Sequence, residues 1–267
     1  MINKITLRPQ YPVTAISDIR QATVSVFADR FSLGTRARVW LAQGAPQAHE
    51  LDLLLSHSAG DANCWSWLEE DVLQVRSVQR GVAIHFCGHG LLASAWVWGR
   101  QGWPPGEVKT AATSYRVSTG AGGQTWLHCP RITSTPTTRP PPLHWFNVPP
   151  MASAQAGGGH GYWILRWPDG FDLRFLRPDL RAISLTRRAV IATARARQNQ
   201  VTLRYFAPQY GNPEDSVTGS ACVVLADYWQ QPQLTLRQCS PRGGLVEAQL
   251  ESHSIAISGA VSLEAAG

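Results

Sequence analysis

Lysine is almost missing from this chain: among 267 residues only Lys4 and Lys109 occur, and charged residues of every kind make up 16%. With 44% hydrophobic content, so little charge excludes an intrinsically disordered chain. The length suffices to bury a substantial core in one large or two smaller domains. Nowhere do about 18 apolar residues follow one another, so no membrane-spanning helix is expected. The opening MINKITLRPQYP lacks the apolar segment of a secretory leader, and the expected location is the cytoplasm. The net charge of +6 comes from scattered arginines without a basic run, so no nucleic-acid partner is expected. The five cysteines, Cys64, Cys87, Cys129, Cys222 and Cys239, are odd in number, widely spaced and form no C-x-x-C. That speaks against a disulfide framework or a zinc site and for free thiols.

What the chain does have is an internal echo. Residues 84–99 read IHFCGHGLLASAWVWG and residues 214–229 read EDSVTGSACVVLADYW. Placing Gly88 on Gly219 sets His89 on Ser220, Ala95 on Ala226 and Trp98 on Trp229, at an offset close to half the length. Each copy reads as strand, short turn and apolar helix, and a helix apolar nearly all round is a buried one. Around them VSVFADRF, ARVWLA, VLQVRSV, SYRVS, TWLHC, YWILRW, FDLRFL, AVIATA, VTLRYF, LVEAQL and SIAIS carry strand-like alternation. Further helices are expected near 48–56 and 178–187. The predicted fold class is α+β with two similar halves, each a mainly antiparallel sheet wrapped round a central helix. The first half covers 1–130 with its helix near 88–99, and the second covers 151–267 with its helix near 219–230. The Pro-rich 131–150 stretch between them is expected to be a connection.

A helix start exposes unpaired N–H groups and partial positive charge, which suits a carboxylate, and glycine allows close approach. Two such starts facing one cleft would clamp a small acid. His89 and Ser220 stand next to the glycines. The plainer alternative is that Thr218 or Ser220 caps a helix and Gly219 makes a turn.

The segment RYFAPQYGNPEDSVTGSACVVLADYW (204–229) resembles the signature R-x-F-x-P-x-x-G-x-x-E-D-P-V-T-G-S-A of the phenazine-biosynthesis PhzF-like family. FCGHGLLASA (86–95) is similar to the family's C-G-H-A-T-L-A-A-A, and RQCSPRGGLVEAQL (237–250) to its Q-x-x-x-R-G-G strand. The resemblance implies the diaminopimelate-epimerase-like fold with the active site between the halves. It also implies a cofactor-independent isomerase, without metal, that moves a proton on a small cyclic amino or hydroxy acid. A setting in secondary-metabolite biosynthesis and a homodimer are implied likewise. By position His89 and Asp215 would handle the proton, while Gly88, Gly219 and Ser220 would bind the small-molecule carboxylate.

One departure bears on that chemistry. The family's glutamate in S/N-E-T-x-F falls here on Ala62, Asn63 or Cys64, none of them a carboxylate, and Ser216 replaces the proline of E-D-P. Asp61, Cys64 as a thiolate, or Cys87 could take over the proton. Cys87 stands where racemases and epimerases of this fold carry a catalytic cysteine, whereas their second cysteine falls near Thr218. Alternatively the cleft binds a small acid without turnover. The tryptophans read mostly as core and cleft wall, and Trp65 and Trp67 near the vacated position could instead narrow the cleft or stack on a planar ligand. His85 and His89 have H-x-x-x-H spacing but lie on different elements, and Gly157–Gly161 reads as a turn.

Overall fold

The computed structural model describes residues 20–56, 61–79, 81–84 and 86–264. Strands β1 (Arg20–Val26) and β2 (Thr35–Leu41) form a hairpin, followed by α1 (Ala48–Ser56), β3 (Ala62–Glu69), β4 (Val72–Gln79) and β5 (Val82–Ile84). Helix α2 (Gly88–Arg100) comes next, then β6 (Glu107–Lys109), β7 (Ser114–Thr119), β8 (Thr125–Pro130) and β9 (Ser134–Pro136). The remainder begins with β10 (Ala152–Ala156), β11 (Tyr162–Arg166), α3 (Leu180–Ile183), β12 (Ala189–Arg197) and β13 (Gln200–Phe206). It closes with α4 (Gly219–Trp229), β14 (Gln233–Gln238), β15 (Gly244–Leu250), β16 (Ser254–Ser258) and β17 (Val261–Leu263).

The ladder order repeats. Strands β1, β2, β3, β4, β6, β7 and β8 are neighbours in that order, with parallel joins at β2/β3 and β4/β6. Strands β10 to β16 run in the same order, with parallel joins at β11/β12 and β13/β14. All other joins are antiparallel, and β8 pairs with β16 antiparallel, fusing the two series. The short strands β17 and β9 each pair with the first strand of the opposite series, β1 and β10 respectively.

Each series curls round a helix whose composition demands burial. Every residue of α2 from Gly88 to Ala95 is buried, and α4 buries all of Ala221–Asp227. The repeat extends to single bonds. Trp98 Nε1 donates to Ser66 Oγ at 2.8 Å and Trp229 Nε1 to Thr193 Oγ1 at 3.3 Å. Ser66 pairs with the last residue of β2 and Thr193 with the last residue of β11, so both hydroxyls occupy the same place in their series.

Four local expectations are corrected or refined. FDLRFL is no strand: Leu173–Phe175 is a 3-10 turn whose first residue follows the capping Asp172, whose carboxylate accepts from Arg174 N at 3.0 Å. The expected helix near 178–187 shortens to α3, capped by Asp179. The Pro-rich stretch supplies β9, and its Trp145 and Phe146 are buried with Trp167 and Phe206. Arg131, from the same stretch, grips the buried carboxylate of Asp227 on α4 at 2.7 Å. Trp65 and Trp67 do not face the cleft. Strand alternation sends them to the side opposite Cys64, where they pack with Trp40, Leu54 and Val78.

Candidate active site

The two glycine helix starts meet. A Cβ built on Gly88 would lie 3.2 Å from Gly219 Cα, and one on Gly219 would lie 3.2 Å from Gly88 Cα. No larger residue permits this approach at both positions without moving a helix. Neither start is capped by a side chain: Cys87 and Thr218 occupy the N-cap positions without a side-chain bond to the first turn. The first-turn N–H groups of both helices therefore stay available to a ligand.

Over this junction opens a cavity of 470 Å³. One wall comes from Val82–Ile84, Phe86, Cys87, Gly88 and His89, the other from Tyr205, Tyr210, Asp215, Thr218, Gly219 and Ser220. The structure thus brings all six sequence-nominated residues to one cavity.

Asp215 is held from several sides. Its Oδ2 accepts from the Thr218 hydroxyl at 2.6 Å and its Oδ1 from Ser216 N at 3.0 Å. The buried Gln238 Nε2 donates to Asp215 O at 2.7 Å, and Gln238 Oε1 accepts from Thr218 N at 2.9 Å. Just before it, Glu214 takes two bonds from the Arg204 guanidinium, at 2.7 and 2.8 Å. Arg204 also donates to the carbonyls of Leu173 and Leu176 at 3.1 and 2.7 Å. This explains why arginine and the acidic pair occur together in the 204–221 motif: one residue fixes the loop that presents the other.

Across the cavity His89 is only 6% exposed. Burial lowers its pKa, opposed by the carboxylates of Asp215 and Asp61. Both ring nitrogens stand 3.7 Å from Cys87 Sγ. Burial raises the phenol pKa of Tyr162, an effect the Ser220 hydroxyl opposes.

Of the three residues proposed for the glutamate slot, Ala62 and Cys64 share the core face that packs with α2, and Cys64 alone of that pair is ionisable. Its Sγ lies beside Cys87 Sγ, both sulfurs crowding Gly90, and 3.5 Å from Ser77 Oγ. The pair loses a first proton more easily than a lone buried thiol, because the remaining S–H supports the thiolate, and the second ionisation is pushed well up. Asp61 instead faces Arg36 at 3.7 Å and does not line the cavity. His85 lies outside the described residues. No group of three metal-binding side chains occurs among the described residues, nor any helix long and apolar enough to cross a membrane.

Sequence reasoning missed Tyr205 and Tyr210 as wall residues. The strand of Tyr205 read only as core, since which face of a strand looks into a cleft depends on how the two sheets join, and Tyr210 sits on the short 3-10 turn Pro208–Tyr210 that follows it.

A family model for phenazine biosynthesis-like proteins (PhzC-PhzF) matches residues 69–256. Two Pseudomonas aeruginosa proteins named as uncharacterized isomerases are similar. One is 31% identical over 193 residues, covering 70% of this chain and 73% of that protein. The other is 44% identical over 100 residues, covering 36% of this chain and only 38% of that protein. The crystal structure of a phenazine biosynthesis protein PhzF family member from Enterococcus faecalis superposes with a TM-score of 0.79 at 22% identity, over 92% of this chain and 96% of the other. A hydroxyproline epimerase from Agrobacterium vitis shares the fold more distantly, with a TM-score of 0.56 at 12% identity over 94% of this chain and 92% of that one. Taken with the paired helix tips and the 204–221 motif, these matches lead to one conclusion: the chain belongs to the phenazine biosynthesis-like protein family.

Proposed function

We propose that the protein is an isomerase that moves a proton on a small cyclic amino or hydroxy acid, using residues of both halves. The observation that carries this reading is the contact of Gly88 with Gly219 beneath a cavity that also holds His89, Cys87 and Asp215. The uncapped helix starts receive the substrate carboxylate, where backbone N–H groups and the helix dipoles favour negative charge. Ser220 adds a hydroxyl beside it. A cavity of 470 Å³ suits a molecule of this size and excludes most water once filled.

Abstraction of a carbon-bound proton needs a base on one face and an acid to return the proton elsewhere. Asp215, oriented by Thr218 and Ser216, serves from the second half. His89, kept largely neutral by burial, and Cys87 serve from the first. The Cys64–Cys87 pair supplies an ionisable group where positions 62–64 of β3 offer no carboxylate. The names of the relatives as isomerases support the reaction class. Secondary-metabolite biosynthesis, a cytoplasmic location and a homodimer are part of the same reading. Light scattering at the monomer mass would remove the dimer.

The test is incubation with dihydroaromatic and cyclic amino acids in deuterated water. Solvent deuterium is expected in substrate or product, and Asp215→Ala or His89→Ala should slow its entry by about 10²–10⁴-fold. Unchanged rates would remove either residue from the chemistry. A second reading is favoured by the absent carboxylate at positions 62–64 of β3: a small-acid binding protein without turnover. It would show calorimetric binding of the same acids with no exchange at all.

A further inference from the structure

Beneath the first turn of α2 two thiols lie against each other. The side chains of Cys64 and Cys87 both reach Gly90. A Cβ placed on Gly90 would fall 2.5 Å from Cys64 Sγ and 2.9 Å from Cys87 Sγ. Glycine at this position is therefore what leaves room for both sulfurs over one stretch of helix backbone. The two thiols differ in access. Cys87 is 5% exposed and lines the cavity, whereas Cys64 is fully sealed behind it. A small reagent entering the cavity meets Cys87 first and finds Cys64 at its back. By contrast, Cys129 and Cys239 bond only to the backbone carbonyls of Leu127 and Arg237, at 3.8 and 3.7 Å.

We propose that Cys64 and Cys87 form a redox-active dithiol, a modification site that a small hydroperoxide converts into a disulfide. The pair's first ionisation supplies the thiolate, a proton passing from Cys87 to Cys64, and the cavity-lining Cys87 sulfur attacks one peroxide oxygen: the S–O bond forms and the O–O bond breaks. The departing hydroxide or alkoxide takes up a proton, leaving Cys87 as a sulfenic acid. The Cys64 sulfur then attacks the Cys87 sulfur. The S–S bond forms, the S–O bond breaks, and the hydroxide leaves with the Cys64 proton as water. Two thiols have given up two electrons and two protons to one peroxide, which ends as water and an alcohol, or as two waters.

Several features favour this over irreversible oxidation. The uncapped helix start at Cys87 favours negative charge at the cavity wall, and the pair gives up its first proton more easily than a lone buried thiol. The resolving sulfur is already in contact, so a sulfenic acid is captured before a second peroxide arrives. Disulfide formation brings the sulfurs to about 2.05 Å and draws Cys87 away from the cavity. Loss of isomerisation under peroxide, and its return with a thiol reductant, follows if Cys87 serves the proposed reaction. That consequence rests on the functional reading above; the disulfide itself does not.

The experiment treats the full chain with hydrogen peroxide, blocks remaining thiols with N-ethylmaleimide under denaturing conditions, and digests without reductant for mass spectrometry. A cross-linked peptide pair carrying Cys64 and Cys87 is expected, with the intact mass lower by about 2 Da, two hydrogens. Dithiothreitol should reverse it, while Cys129 and Cys222 stay open to alkylation. In Cys64→Ser the same treatment should leave Cys87 as a sulfenic acid trapped by dimedone. Cys87 reaching the sulfinic state in the native sequence without the cross-link would overturn the proposal. So would both thiols remaining free at peroxide doses that oxidise other cysteines of the chain. The readout needs no substrate, so it stands or falls separately from the isomerase reading.

Discussion

His89 gives the clearest residue-scale expectation about pH. Burial holds its pKa below the ordinary 6.5, so the unfolded chain binds a proton that the folded chain resists. The sign follows: stability from this residue is fully present above about pH 6.5 and drains away as the pH falls below that value. Urea-denaturation midpoints measured from pH 7.5 down to about 5 should therefore decline, and His89→Gln should flatten the decline. An unchanged slope in the variant would show that the imidazole is not held neutral. The residue identities at the site were legible early, since His89, Asp215 and Ser220 all sit in recognisable motifs. What was not legible is that Cys64 and Cys87 touch. They stand on a strand and a helix start 23 positions apart, and nothing in linear spacing says which strand residue turns towards the helix. The tryptophans beside Cys64 illustrate the same limit: alternation alone gives two faces and does not say which is the cleft.

At the scale of elements, the decisive contact is between the tips of α2 and α4. Gly88→Ala would insert a methyl group 3.2 Å from Gly219 Cα. Overpacking of this kind costs about 1–3 kcal/mol, and here it also spreads the two anion-binding ends. We expect a lowered urea midpoint together with loss of carboxylate binding by calorimetry. A variant that keeps full affinity would show that the two tips do not act jointly. Both helices announce themselves by composition, because a segment apolar on most faces has nowhere to go but inside a sheet. FDLRFL misled for a matching reason. Its alternation is genuine, but Asp172 caps a turn and Arg204 satisfies the carbonyls of Leu173 and Leu176. A side chain thirty residues downstream thus replaces the ladder a strand would need.

For the whole molecule, the exchange of β9 and β17 matters most. Each half's closing strand lies on the opposite sheet, and β8 is bound along its length to β16. A fragment ending at residue 130 would leave β1 without β17 and β8 without β16, exposing two unpaired sheet edges next to a buried helix. Such a fragment is expected to aggregate or remain unfolded, whereas the full chain should melt in a single calorimetric transition. A soluble, cooperatively folded 1–130 fragment would contradict this. The division at 130 and 151 that the composition suggests therefore does not separate two closed sheets.

The sequence by itself determined the two buried helices, the α+β class, the internal repeat and the glycines at the helix starts. These rest on local composition and on spacing within one copy, where side-chain character dictates burial and backbone freedom. Only the tertiary structure decided that the two starts touch, that β9 and β17 change sides, and that Cys64 backs Cys87. Those are contacts between segments far apart in the chain, and they follow from how the curled sheets close on each other rather than from any pattern along either one.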